Sequence, residues 1–512
     1  MVVQVVDAWI NAPLSNAEVS LPAHGWNTLT SAAGIAVLER PRPGEILLIT
    51  HPGYLPLARV YAGEATLVVA LRPQRISGRV IDANDGRPLP RAWVHVNDQW
   101  TRTDDRGSFS LPVEGEGGHL LVRAPGYARG RWSLGPSTSP PPWDAVFPLP
   151  EEANRTWLRP MVCAYPPCIE IALAPYPVRA FYIPLALLSR PDYIRHLLDM
   201  AAESPVINGV VIDVKGDTGK LAWESADPTA IAVKAYHNGQ KWVSLGEFLS
   251  MSRKRGLYVI ARMVIFKDAQ LAAGKPDWAI QREDGTPWTD RKGTPWVDPF
   301  RREVWAYHIA LAREVAALGV DEIQLDYVRF PSDGDLGAIQ YDRENTLEAR
   351  TTAIREFVSQ FVASVRPLGV FIAADVFGLT VWVVPESDML IGQRVMDIGP
   401  LVDYLSPMVY PSTFIPGNLG LDDPQAYPYE VVRRSTEQAI SRLPSGVRVR
   451  PWLQAYGYSL AEMLIQRHAA NDGGAAGWMF WNAGGVYDPH LFGSLPDLET
   501  LQKQIAEGRA AP

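Results

Sequence analysis

The chain is predicted to be multidomain, with a (β/α)8 TIM barrel over its C-terminal two thirds and two N-terminal all-β sandwich modules before it. Three observations predict this. Over the first 150 residues a set of short segments recurs at a spacing of 73 to 75 residues, with no helix-period run among them. From about residue 178, strand-like runs and helix-period runs alternate about eight times over some 330 residues, which favours a barrel over a doubly wound sheet. Acidic, basic and aromatic residues then gather at the carboxyl ends of the strand-like runs, where barrels carry their chemistry.

The first module, residues 1–74, contains PLSNAEVSL from Pro13, TSAAGIAVL from Thr30 and HPGYLP from His51. The second, residues 75–150, echoes them with PLPRAWVHV from Pro88, TDDRGSFSL from Thr103 and APGYAR from Ala124. Short alternating runs broken by Gly, Pro, Asn and Asp are the pattern of a β-sandwich. Ala32 and Ala33 are read as the first copy's replacements for Asp104 and Asp105. Residues 151–177 continue the Pro-rich PSTSPPPW stretch and read as a linker. The two cysteines of the chain, Cys163 and Cys168, lie in it. They either close a small disulfide loop, which favours an exported protein, or remain free thiols.

The barrel, residues 178–507, is read as eight strands at 179–183, 209–214, 257–265, 320–327, 369–376, 402–408, 447–454 and 476–481. Helix-period segments between them fall at 191–202, 245–255, 302–318, 344–365, 428–441 and 460–471. No G-x-G-x-x-G turn follows the first strand, and no dinucleotide or other cofactor is expected.

The fourth strand carries the densest signal. In GVDEIQLDYVRFP, Gly319 to Pro331, Asp321, Ile323 and Leu325 alternate with Glu322, Gln324 and Asp326, and the strand ends on an acid followed by an aromatic, a base and a proline. Asp is also a common turn residue, so the alternative is that Asp326 only caps its loop or pairs with Arg329. Asp375 ends the adjacent strand, which places two carboxyl groups in one pocket. Glycoside hydrolysis needs such a pair, one protonated to help the leaving oxygen depart and one ionised to attack the anomeric carbon or activate water. Asp326 is the expected nucleophile or base and Asp375 the expected general acid. Like charge and burial would raise one pKa, while Arg329, Arg262 or Lys215 keep the other acid ionised.

Asp213 and Lys215, after the second strand, read as a charge pair that binds sugar hydroxyls or tunes Asp326. Tyr410, Gln454 and Trp481, at the ends of strands six, seven and eight, are expected to hold the sugar. Trp223, Trp242, Trp278, Trp288 and Trp296 crowd the long loops after strands two and three and suggest aromatic platforms along a groove.

Composition excludes several classes. Apolar content of 47% with 20% charge describes a globular protein, and a net charge of −8 without a basic, aromatic-studded run argues against nucleic acid. No stretch approaches the roughly 18 continuous apolar residues of a membrane span. His237, His308 and His468 are scattered, so no metal site is expected, and no G-x-S-x-G elbow is present. Met1 is followed by strand-like VVQVV with no basic n-region or apolar h-region. An extracellular or cell-surface location is expected nonetheless.

The order V-x-D-x-x-x-G-x-P-L-x-x-A-x-V, T-D-x-x-G-x-F and A-P-G-Y in the second module resembles the carboxypeptidase regulatory-like sandwich. That implies a spacer, adhesion or sugar-contact role. The motifs NGVVIDVKGDTGKLAWES, ARMVIFKD, GVDEIQLDYVRFP, FIAADVFG and DYLSPMVYPS, in this order across residues 178–490, resemble a family of uncharacterised bacterial glycoside hydrolases with a TIM-barrel domain. The resemblance implies a barrel acting on a polysaccharide or oligosaccharide.

More distantly, the barrel is similar to family-eighteen chitinases, which carry D-x-x-D-x-D-x-E on strand four, Met-x-Tyr on strand six and Trp on strand eight. Met408, Tyr410 and Trp481 match, and Asp321 and Asp326 stand where two of the acids belong. Gln324 replaces the middle acid and Val328 the catalytic glutamate. Without that glutamate the proton must come from Asp375, or the barrel is a non-catalytic carbohydrate-binding protein of the cell surface.

Overall fold

The N-terminal repeat is a repeat of topology as well as of sequence. Val2–Asp7 pairs antiparallel with Ile35–Val37 and parallel with Thr66–Leu71. In the second copy, Arg75–Asp82 pairs antiparallel with Ser108–Pro112 and parallel with Cys168–Leu173. Facing them are the sheets Trp26–Leu29, Glu18–Leu21, Ile46–Thr50, Leu57–Val60 in the first copy and Gln99–Arg102, Trp93–Val96, Gly118–Arg123, Gly130–Leu134 in the second. Alternation does the sorting: Leu67, Val69 and Leu71 enter the first core, while Thr66, Val68 and Ala70 face out.

The same side chains clamp both copies. Tyr54 donates its hydroxyl to Asp7 Oδ2 at 2.6 Å, as Tyr127 does to Asp82 Oδ2 at 2.7 Å. Thr30 accepts from the Ala17 N–H at 2.9 Å and donates to the Leu14 carbonyl, as Thr103 accepts from Ala92 at 2.8 Å and donates to Leu89. These pairs shift the sequence reading by one residue. Ser31, not Ala32, stands in the place of Asp104: Ser31 Oγ accepts from the N–H groups of Ala33 and Ile35, as Asp104 Oδ1 does from Arg106 and Ser108.

The structure, a computed structural model, describes all residues except 40, 98, 116, 136–154, 162–167, 237–241 and 511–512. The chain falls into two units, Met1–Tyr176 and Pro177–Pro512. The segment read as a linker supplies two strands of the second sandwich, Trp157–Met161 and Cys168–Leu173, with Ile169, Ile171 and Leu173 in its core. Residues 168–173 thus close the second module as residues 66–71 close the first. Cys168 is disulfide-bonded; Cys163 lies outside the described residues.

In the second unit eight parallel strands form a closed ring. They are Val178–Ile183, Gly209–Lys215, Tyr258–Val264, Glu322–Asp326, Phe371–Phe377, Tyr404–Met408, a seventh in two pieces (Arg448–Val449 and Trp452–Gln454), and Gly477–Trp481. The first pairs with the eighth and the fifth with the sixth, which closes the barrel. Pro451, which has no N–H to donate, interrupts the seventh strand. At the closing seam Gly477 holds φ 99°, and a Cβ there would strike the Val178 carbonyl. Only glycine fits that approach.

The outer helices Pro191–Glu203, Leu245–Lys254, Arg302–Ala317, Leu347–Val365, Pro428–Ser441 and Leu460–Asp472 lie where apolar periodicity predicts them. Ser244 with Glu247 and Ser459 with Glu462 form capping boxes that start two of them. Helix Arg302–Ala317 buries Val304, Trp305, His308, Leu311, Ala312 and Val315, the stripe that a 3.6-residue period lays against the sheet. After the fifth strand a single turn, Val395–Ile398, replaces the full helix. Low in the barrel Glu322 pairs with Arg450 and accepts from the Tyr258 hydroxyl at 3.0 Å. No helix among the described residues is long and apolar enough to cross a membrane.

Candidate active site

At the carboxyl ends of strands three to eight a pocket of about 170 Å³ is lined by Arg262, Asp326, Tyr327, Arg329, Phe377, Met408, Tyr410, Trp452 and Trp481. Arg262 organises its floor. From the end of strand three its Nε donates to Asp326 Oδ2 at 3.0 Å, its Nη2 reaches the same oxygen, and its Nη1 donates to Asp213 Oδ1 at 2.5 Å. Burial works against this guanidinium, and the carboxylates of Asp213 and Asp326 more than offset it, holding its pKa well above the usual range. Asp326 Oδ1 takes the N–H of Tyr327 at 2.6 Å. Every partner of Asp326 is a donor, the surrounding of an anion. Tyr327 holds φ 50°, an uncommon value for a non-glycine residue, so the chain bends sharply just past this acid.

An aromatic wall adjoins the carboxylate. Trp481 stacks on Tyr182 with ring centroids 4.0 Å apart and meets Trp452 edge-on at 5.6 Å. The Arg262 guanidinium lies 4.9 Å from the Trp481 ring. Tyr182 donates its hydroxyl to Asp213 Oδ2 at 2.5 Å, so Asp213 is fully engaged beneath Arg262 and burial raises its pKa.

Asp375 lies one layer deeper. It is 0% exposed, against 6% for Asp326, and it is absent from the pocket lining. Trp452 Nε1 donates to its Oδ1 at 2.9 Å, while Oδ2 is buried with no partner among the described residues. Burial, then the charge of Asp326, drive its pKa well above the carboxylate range, and Arg262 and Trp452 oppose this only in part. Of the two acids only Asp326 faces the open pocket. Tyr410, on the rim above Met408, lines the pocket, and burial with the charges of Asp375 and Asp326 keeps its phenol protonated.

Other expected site residues are placed differently. The register of strand two shifts between Asp213 and Lys215, and that irregularity turns Lys215 away from Asp213. Lys215 Nζ instead contacts Asp268 Oδ2 at 2.7 Å and donates to the Val264 carbonyl at 2.6 Å, fully buried. Gln454 is also absent from the pocket lining; its amide ties loop backbones together, accepting from the Ser412 N–H and donating to the Tyr456 carbonyl. Arg329 lines the pocket but does not hydrogen-bond Asp326; Arg262 takes that place.

The loop tryptophans pack rather than form platforms. Trp223, Trp288 and Trp296 are buried, with indole N–H groups on Glu314, the Asp335 carbonyl and Asp290, and Trp242 and Trp278 pack against the core. Of the strand-four chitinase positions, Asp321 accepts the Val259 N–H at the far end of the strand, Gln324 bonds Ser406 and Met479 inside the barrel, and Val328 is fully buried. Tyr182, Trp452 and Phe377 are site residues that the sequence reading passed over. Each is an aromatic within two residues of a strand end, Tyr182 before Ile183, Trp452 before Gln454 and Phe377 closing the fifth strand.

Residues 180–487 match the family DUF4015, described as a putative glycosyl hydrolase domain. The chain belongs to this family. The glycosyl hydrolase match runs from the first barrel strand to the loop beyond the eighth, so it takes in every pocket residue. Among solved structures, the chain is similar to a hypothetical protein from Ruminiclostridium thermocellum at 28% identity, over 38% of this chain and 96% of that one, with a TM-score of 0.34. It is also similar to the PgaB (BpsB) glycoside hydrolase domain of Bordetella bronchiseptica at 14% identity, over 60% and 94%, with a TM-score of 0.45. A GH18 chitinase from Pseudoalteromonas aurantia aligns at 12% identity over 64% and 99%, with a TM-score of 0.37. None of the curated proteins matches.

Proposed function

We propose that this glycoside hydrolase domain cleaves a polysaccharide or oligosaccharide at the Arg262–Asp326 pocket, with Asp326 as nucleophile or base and Asp375 as the source of the proton. One observation carries the reading: a carboxyl group surrounded by donors faces the pocket, and a second carboxyl group at the end of the adjacent strand has its pKa raised by burial and by the first charge. Two carboxyl groups in such unlike surroundings are what two-carboxylate hydrolysis requires. Trp481, Trp452 and Tyr410 give the sugar an aromatic pocket wall, while Asp213 and Arg262 fix the direction of Asp326. Because Oδ1 accepts the Trp452 N–H, the proton that Asp375 would deliver sits on Oδ2, which must gain access to the pocket. The disulfide at Cys168 supports action in an oxidising, extracytoplasmic setting.

A second reading, a barrel that binds sugar without cleaving it, is favoured by the depth of Asp375, since the open pocket presents a single carboxylate. A panel of polysaccharides and activated aryl glycosides separates the two. Asp326→Asn should abolish turnover of all of them. Asp375→Asn should abolish turnover where the leaving group needs a proton and spare it where the leaving group is a dinitrophenolate. Equal turnover by wild type and both variants rules out the assignment; binding without turnover in any of them establishes the lectin reading.

A further inference from the structure

We propose that the sugar taken by this pocket carries an anionic oxygen group, a carboxylate or a sulfate or phosphate ester, which docks on Arg329. The proposal rests on the pocket being a glycan site and names the class of glycan.

Arg329 is only 6% exposed, yet no carboxylate pairs with it among the described residues. Its one hydrogen bond runs from Nη1 to the Phe330 carbonyl at 2.8 Å. The guanidinium is instead packed among rings, 4.5 Å from Phe377, 4.9 Å from Tyr327 and 5.1 Å from Trp296. Ring faces steady a cation without neutralising it. The neighbouring cations are already engaged: Arg262 with Asp213 and Asp326, and Lys267 with Asp290 at 2.9 Å.

Arg329 is therefore a cation on the pocket wall that no protein carboxylate contacts among the described residues; Asp326, Asp333 and Asp290 act on it only without direct contact, and a buried charge lacking a close partner is costly. Burial pushes its pKa down, and the more distant charges of Asp326, Asp333 and Asp290 offset this only in part. With Nη1 engaged, the Nε and Nη2 groups remain as the flat two-donor edge that matches two oxygens of a carboxylate, sulfate or phosphate. Because Arg329 and Asp326 line the same small pocket, the anionic group belongs to the sugar unit bound there and not to a distant unit of the chain.

The test uses the full chain and matched glycan pairs: oligogalacturonate against neutral galactan, sulfated against desulfated galactan, and phosphorylated against neutral mannan. Each pair is measured for wild type, Arg329→Lys and Arg329→Gln, as kcat/KM where there is turnover and as Kd where there is none. For one pair the anionic member should be preferred at least tenfold by wild type. Arg329→Lys should keep part of that ratio, Arg329→Gln should reduce it to near one, and added salt should lower it. The pair that responds identifies the anionic group.

Because the readout is a ratio within one variant, partial loss of folded protein does not move it. A wild-type ratio near one, or an equal loss of both members in Arg329→Gln, overturns the proposal. An Arg329-dependent preference without cleavage keeps this inference and removes the hydrolysis reading. Cleavage of neutral glycans indifferent to Arg329 does the reverse, and absence of binding to every glycan removes both.

Discussion

Trp452 Nε1 donates to Asp375 Oδ1 at 2.9 Å, so one indole both lines the pocket and holds the acid that the pocket lining lacks. Its hydrogen bond favours the ionised form of Asp375 and so opposes the upward pull of burial. Trp452→Phe removes the donor and keeps a ring in place. The Asp375 titration should then move up, and if its proton is the one donated, the alkaline limb of the kcat/KM profile moves to higher pH. An unmoved limb would show that Asp375 does not supply the proton.

Asp375 also makes the fold pH-dependent. Its folded pKa lies well above the ordinary 3.8, so the folded chain holds this proton more tightly than the unfolded chain. The corresponding stability is fully present below about pH 4 and is lost as pH rises toward the folded pKa, at about 1.4 kcal/mol for each tenfold difference in proton affinity between the folded and unfolded chain. Asp375→Asn has no proton to lose. Urea midpoints at pH 5 and pH 8 should therefore fall further in wild type than in the variant, and equal slopes would show that Asp375 ionises freely in the fold.

The barrel is legible because each strand is an apolar run between helix-period segments, and strand ends then name the rim. What the sequence leaves hidden is decided by tertiary geometry. The depth of Asp375 below the rim depends on how the strands stagger around the ring, which no single strand records. Lys215 was lost to a register shift in strand two, and Gln454 to loop backbones whose positions are set elsewhere in the fold. Tyr182 sits inside an apolar run, AFYIPL, with nothing to mark its hydroxyl as the partner of Asp213. The loop tryptophans misled because an indole suits a packed loop as well as a groove.

Arg262 is the shared counter-ion of Asp213 and Asp326, all three nearly buried. Arg262→Ala leaves two buried carboxylates without their cation and should cost about 3–5 kcal/mol. Adding Asp213→Asn removes one of the stranded charges, so the double variant should recover part of that loss in chemical denaturation. A double variant no more stable than Arg262→Ala would mean that Asp213 is protonated in the fold and carries no charge to strand.

The paired threonines of the sandwiches test whether the two copies are equally built. Thr30 and Thr103 each accept one buried N–H, from Ala17 and Ala92, and each donate to one carbonyl, of Leu14 and Leu89. Replacement by valine keeps the shape and leaves a donor and an acceptor unsatisfied, at about 1–3 kcal/mol. Thr30→Val and Thr103→Val should therefore weaken their own modules by similar amounts, although Ser31 and Asp104 differ in the adjoining turns. Separate domains need not unfold together, so the measurement is amide exchange at Ala17 and Ala92 in each variant. Each substitution should speed exchange in its own module and leave the other unchanged. A much larger effect for Thr103→Val would show that the first copy holds its turn by other contacts.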